Sequence, residues 1–227
     1  MTDKHFIHDQ FPQDFYDSYN KFIISSDTKV FNKLVSKFVF IEMTNKIPGD
    51  IIELGVFKGS GMIGWLKALK SYSITNKKCI GFDIFDSNQL VEKINTVDRE
   101  LMSSLFTNRS FNPSGYDLVL KHNIDQIGFK NFDIVTGDVF DTVPDYLENN
   151  PGFRASIVNF DLDIEEPTYF CLNALWERIV LGGVLIFDEY GISEWTESAA
   201  VDKFVLEKGL KLQRTNFEAP SAFIIKE

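Results

Sequence analysis

The chain has 227 residues, 44% hydrophobic and 25% charged, the proportions of an ordinary folded domain with room for a sizeable core. A formal charge of −10, with no basic run, excludes a surface built to neutralise nucleic-acid phosphates. No apolar stretch reaches the ~20 residues of a membrane helix and the first residues lack a signal-peptide core, so a soluble, cytoplasmic protein without a membrane partner is expected.

Residues 1–24 are rich in aromatics (Phe6, Phe11, Phe15, Tyr16, Tyr19) without a sustained period and read as irregular. Residues 29–46 carry Val30, Phe31, Leu34, Val35, Phe38 and Ile41 at helical spacing. Segment 1–47 is therefore expected to form a largely helical cap that covers a site or meets a second subunit. From Asp50 onward apolar runs alternate with amphipathic ones. Strands are predicted at 50–54, 78–83, 132–136, 155–161 and 182–188, with helices near 60–72, 114–128, 142–149, 167–180 and 195–208. Two further strands, 210–216 and 221–226, suggest a closing antiparallel hairpin.

Such alternation means a mostly parallel sheet with helices on both faces, in one domain spanning 1–227. The stretch 84–113 interrupts the rhythm. It is polar, ends in Asn108, Ser110, Asn112 and Pro113, and reads as a lid or substrate-binding insertion. Cys79 and Cys171 lie in apolar runs and read as buried thiols, neither a disulfide nor a zinc site. His5, His8 and His122 form no pattern; Trp195 and Glu197 follow the fifth strand, where they line a substrate pocket or, for Trp195, simply pack.

Four of the five strands end in acids: Glu53, Asp83, Asp161, and Asp188 with Glu189. Ligands of open α/β sheets bind outside these carboxyl ends. The first strand runs into E-L-G-V-F-K-G-S-G, placing Glu53, Gly55, Gly59 and Gly61 in a strand-to-helix turn whose bare amides approach a ligand. This is neither the G-x-G-x-x-G dinucleotide fingerprint nor a P-loop. It suits a nucleoside carrying an amino acid, for which S-adenosylmethionine is the candidate. Asp83 is placed to accept ribose hydroxyls, or to cap a helix. Asp138 is placed to accept the adenine amine with the Val139 amide beside it, or to serve as a turn aspartate. Asp161 and Asp163 of NFDLD converge with Asp188 and Glu189 of FDEY if their strands are neighbours. Packed carboxylates repel, and a divalent ion such as Mg²⁺ relieves them; otherwise they cap helices in solvent.

The succession GDIIELGVFKGSG, GFDIFDS, GDVFDTVPDYL, NFDLDIEEPT and GGVLIFDEYG resembles the macrocin O-methyltransferase family from about Pro48 to the C-terminus. The resemblance implies a Rossmann-like class I fold: a seven-stranded, mostly parallel sheet with an antiparallel last strand. It implies methylation of a sugar hydroxyl, with Glu53, Gly55, Phe57, Gly59, Ser60 and Gly61 on the methionine part of the cofactor, Asp83 on ribose, and Asp138 and Val139 on adenine. It further implies Asp161, Asp188 and Glu189 as Mg²⁺ ligands, Asp161 as general base, a sugar or glycoside acceptor, and a homo-oligomer. Glu189 stands where the family often has aspartate. A non-sugar diol or phenol acceptor is the alternative within enzymes, and a non-catalytic nucleoside-binding protein the alternative outside them.

Overall fold

Every residue from Ala155 to Phe160 is buried, because strand β4 lies inside a sheet covered on both faces. This computed structural model describes residues 13–94, 96–109 and 113–227. β4 pairs in parallel with β1 (Asp50–Leu54) on one side and β5 (Ile179–Phe187) on the other. β2 (Cys79–Asp83) and β3 (Phe132–Thr136) extend the sheet past β1, and β7 (Ala222–Ile225) and the two-residue β6 (Gln213–Arg214) extend it past β5. The order is β3-β2-β1-β4-β5-β7-β6, parallel through β5, with β7 antiparallel to both its neighbours. This is the seven-stranded, mostly parallel sheet expected.

The period-2 geometry of the strands divides their side chains between two cores. Ile52, Val158 and Leu185 pack under α7 (Val139–Asn149), α8 (Glu165–Leu175) and α9 (Glu197–Lys208). Ile51, Ile157 and Ile186 pack under α2 (Thr28–Thr44), α3 (Ser60–Ser71) and α6 (Tyr116–Gln126). Cys79 and Cys171 are buried and unpaired, one in each core. Among the described residues no helix is long and apolar enough to cross a membrane.

Several boundaries differ from the sequence reading. Residues 13–23, expected to be irregular, form helix α1 (Gln13–Ile23), with Phe15, Tyr19 and Phe22 at i, i+4, i+7. That period is hidden when the window also includes Phe6 and Phe11, which lie outside the described residues, as do His5 and His8. The insertion is helical: α4 (Ser87–Lys93), capped by Asp86 accepting from the Asn88 and Gln89 amides, then α5 (Thr96–Arg109). Ser110 and Asn112 at its end lie outside the described residues. Ile94 and Met102 pack on Ile164, which follows β4, so the insertion leans on the sheet's carboxyl edge. α7 begins at Val139, three residues before the expected start, because the Asp138 carboxylate accepts from the Phe140 amide and caps it. β5 begins at Ile179, ahead of the predicted 182, and passes a register irregularity opposite Ala155.

Candidate functional site

The glycine turn after β1 is shaped by close protein contacts. Gly55 has φ +88°, and a Cβ there would lie 1.9 Å from the Asp161 carbonyl oxygen, so only glycine lets β1 pass the end of β4. Gly61 leaves room for Glu53 Oε1, which a Cβ would meet at 1.9 Å. Glu53 is 1% exposed and accepts from Trp65 Nε1 at 2.5 Å. Burial raises its pKa, while Lys37 and Trp65 oppose the rise. It forms the floor beneath the turn.

Most of the turn's amides are not bare, contrary to the sequence expectation. Gly55 N–H donates to the Phe82 carbonyl and Gly59 N–H to that of Val56. Val56 and Phe57 N–H both donate to Asp83 Oδ2, at 2.8 and 2.7 Å, while Asp83 Oδ1 accepts from Phe85 N–H at 2.8 Å. Asp83 thus ties the β1 turn to the β2 turn, and Phe57 is held at φ +51° beside it. Burial raises the Asp83 pKa against these three donors. The amides open to a ligand are those at the start of α3. Gly59, at φ +82°, is its N-cap and offers no side chain, and its first turn holds no acid. Ser60 and Gly61 border the adjoining cavity, about 720 Å³ in volume, at the carboxyl ends of β1, β2 and β4. Asp83, Asp138 and Val139 border it too.

The acids after β4 and β5 converge, and two lysines of α2 converge on them. Lys33 Nζ contacts Asp188 Oδ2 directly and lies 3.7 Å from Asp161 Oδ1 and 3.6 Å from Glu189 Oε1. Lys29 Nζ donates to both Glu189 oxygens at 2.9 Å. Asp161, Asp188 and Glu189, predicted as one group, therefore surround one ammonium. Among the described residues, the carboxylate oxygens that lie within 4.8 Å of one another come from Asp161, Asp163 and Glu189. Asp163 has φ +68°, which turns the chain back after β4.

Burial pushes Asp161 up to about 6, against the pull of Lys33. Burial and the Asp161 charge push Asp188 up to about 7. Burial lowers Lys33, but Asp161 and Asp188 outweigh it and carry the ammonium above its ordinary value. Beneath the cluster Glu197 is fully buried, accepts from the Glu189 amide at 3.1 Å, and leaves Oε2 without a hydrogen-bond partner among the described residues. Burial, then the Asp188 charge, raise it far above a normal carboxyl.

Lys29 and Lys33 were not anticipated from the sequence. The spacing 29, 33, 37 along α2 is a signal, since it puts three ammoniums on one helical stripe. Lysines on an amphipathic helix ordinarily face water, so only the sheet's position reveals their partners. Asp98 of α5, 2% exposed, accepts from Thr196 Oγ1 at 3.0 Å and joins the insertion to the loop before α9.

A seven-stranded sheet of this order, with a glycine turn and acids at its carboxyl edge, defines the Rossmann-like methyltransferase fold. Residues 31–224 match the model of the macrocin O-methyltransferase (TylF) family, and the chain belongs to that family. It is similar to the 8-demethyl-8-(2,3-dimethoxy-alpha-L-rhamnosyl)-tetracenomycin-C 4'-O-methyltransferase of Streptomyces olivaceus, with 26% identity over 157 residues. That stretch is 66% of this chain and 56% of the relative, so the match spans little more than half of the relative's length. Among solved structures it is similar to the O-methyltransferase NovP, at 20% identity and a TM-score of 0.70, over 86% of this chain and 79% of that one. It is also similar to apo CalS11, a TDP-rhamnose 3'-O-methyltransferase of calicheamicin biosynthesis, at 23% identity and a TM-score of 0.72, over 96% and 88%. At these identities the structures share the fold.

Proposed function

We propose that this protein transfers the methyl group of S-adenosylmethionine to a sugar hydroxyl, with a divalent ion such as Mg²⁺ at the acid cluster. One observation carries the reading: Asp161, Asp163 and Glu189 bring their oxygens within 4.8 Å of one another beside a cavity that begins at the uncapped start of α3. The names of the Streptomyces olivaceus relative and of CalS11, both rhamnose-directed O-methyltransferases, support the sugar as acceptor.

The residues fit both groups. The Ser60 and Gly61 amides suit the carboxylate of an amino acid at the positive end of α3. Gly55, Phe57 and Gly59 shape that end of the cavity, with Glu53 as its floor. Asp83 keeps acceptor capacity beyond its three backbone donors, enough to take a ribose hydroxyl. Asp138 and Val139, at the start of α7, take the adenine edge. When bound, the cofactor supplies a methyl already activated by the sulfonium. A divalent ion held by Asp161 and Glu189, with Asp163 or Asp188, supplies a positive charge that lowers the pKa of a nearby hydroxyl.

The chain itself orients and deprotonates the acceptor. Asp161, at the end of β4 and bordering the cavity, is the general base that takes the hydroxyl proton. Phe22 of α1 and Val30 and Leu34 of α2 border the cavity. We further propose a homo-oligomer, supported by the exposed Phe15, Tyr19, Ile23 and Phe31 of these helices. Two free buried thiols support a cytoplasmic setting.

Asp161→Ala and Asp188→Ala are expected to abolish methyl transfer while S-adenosylhomocysteine binding, followed by thermal shift, persists. Full turnover of Asp188→Ala in EDTA would end the metal reading. Stabilisation by NAD and not by S-adenosylhomocysteine would end the cofactor reading.

A further inference from the structure

The start of α9 is hydrogen-bonded to both turns that carry the acid cluster. Thr196 is the N-cap of α9, yet its hydroxyl makes no bond to that helix. A capping threonine ordinarily accepts from one of its own helix's first amides. Here Oγ1 accepts instead from the Glu165 amide at 2.9 Å, at the start of α8, and donates to the Asp98 carboxylate of α5 at 3.0 Å. Ser198 Oγ accepts from the Gly191 amide at 2.8 Å, in the turn after β5. Between them stands Glu197. Its N–H donates to the Asp163 carbonyl at 3.2 Å, and its Oε1 accepts from the Glu189 amide at 3.1 Å.

Asp163 and Glu189 are two of the three residues whose carboxylate oxygens converge. Both lie beyond Phe160 and Phe187, the last paired residues of the β4–β5 ladder, so the sheet does not fix their separation. Asp163 also sits at φ +68°, a conformation that a residue with a side chain keeps only when its surroundings hold it. Glu197 bonds to the backbone of both. It is fully buried, and Oε2 has no hydrogen-bond partner among the described residues. Packing alone would be served at lower cost by an apolar side chain, so what the carboxyl adds here is its bond to the Glu189 amide. The insertion rests on the same two segments. Ile94 and Met102 pack on Ile164, beside Trp195, and Asp98 is 2% exposed where it meets Thr196.

Resting on the reading of the acid cluster as a divalent-ion site, we propose that Glu197 and Thr196 are positioning residues for it. Glu197 sets the spacing of Asp163 and Glu189, and Thr196 ties that spacing to the seating of the insertion. Glu197 itself stands outside the group of converging oxygens. Linkage makes the effect reciprocal: an ion that fixes the cluster steadies α5, and loosening α5 weakens the ion.

The test is calorimetric titration of the full chain with Mn²⁺, together with hydrogen exchange of α5 with and without Mn²⁺. Glu197→Met keeps the bulk and removes the acceptor, and is expected to weaken Mn²⁺ at least about tenfold. Glu197→Gln keeps an acceptor for the Glu189 amide and should stay within about threefold of wild type. Thr196→Val touches none of the converging acids, yet should weaken Mn²⁺ at least about fivefold and abolish the slowing of α5 exchange that Mn²⁺ causes in wild type. S-adenosylhomocysteine affinity should stay within about twofold in every variant, because the cofactor's end of the cavity is untouched. A smaller loss in Glu197→Met or Thr196→Val, a larger one in Glu197→Gln, or a parallel fall in S-adenosylhomocysteine affinity overturns the proposal. Should Glu197→Met not fold, Thr196→Val decides alone. A wild-type protein that binds S-adenosylhomocysteine but no Mn²⁺ brings down the divalent-ion reading, and this proposal with it, while the cofactor reading stands.

Discussion

Gly55→Ala tests the close approach on which the site's geometry depends. The new Cβ would lie 1.9 Å from the Asp161 carbonyl oxygen and 2.7 Å from its carbon, both backbone atoms that no rotamer change can move away. The residue would also be held at φ +88°, where alanine is strained by ~1–2 kcal/mol. Overpacking adds ~1–3 kcal/mol, so the total is roughly 2–5 kcal/mol. In a chain of this size each kcal/mol shifts Tm by ~2–4 °C, giving a fall of roughly 4–20 °C. Gly209→Ala is the control: Gly209 has φ +64° at the end of α9, and its Cβ would meet nothing within 4 Å. It isolates the dihedral cost, about 1–2 kcal/mol. Scanning calorimetry of both variants in EDTA separates the two contributions. If Gly55→Ala melts together with Gly209→Ala, β1 and β4 do not pass as closely as the structure has them, and the placement of Asp161 loses its basis.

Replacing Lys33 with methionine removes the counter-ion of Asp188, whose side chain is 4% exposed, so the variant should melt lower than wild type in EDTA and gain more from added Mn²⁺. A smaller gain than wild type would count against competition between ammonium and metal. Asp161 and Asp188 are raised to about 6 and 7, above their unfolded values near 3.8, so they favour folding at low pH and lose that contribution as pH rises from about 4 to about 7. In EDTA the fall of Tm across that window should be shallower in Asp188→Asn than in wild type; equal slopes would refute the assignment. Lys77 is 3% exposed and donates to the Ile47 and Gly49 carbonyls and to Ser156 Oγ at 2.6–2.8 Å. Lys77→Met should cost ~1–3 kcal/mol in urea unfolding, and an unchanged midpoint would contradict it. Thr196→Val removes the hydroxyl shared by Asp98 and the Glu165 amide, so hydrogen exchange should accelerate in α5 before it does in the sheet.

Much of this protein is written locally in its chain. The apolar runs 50–54, 79–83 and 155–160, short and bounded by turn residues, read as strands covered on both faces, and acids at their ends mark the edge where the site lies. Alternation of such runs with helical periods determines a parallel sheet, because each crossover is long enough for a helix. Other features arise only when distant segments meet. The glycines of the β1 turn were legible as a tight turn, but that Gly55 faces the Asp161 backbone, and that Asp83 consumes the turn's amides, depends on β1 lying between β2 and β4. Lys29 and Lys33 look like solvated charges in sequence and become the partners of the acid cluster through the seating of α2 across the sheet. Periodicity is a property of neighbours along the chain, whereas charge pairing through space belongs to the packing of elements more than 100 residues apart, and only the folded molecule decides it.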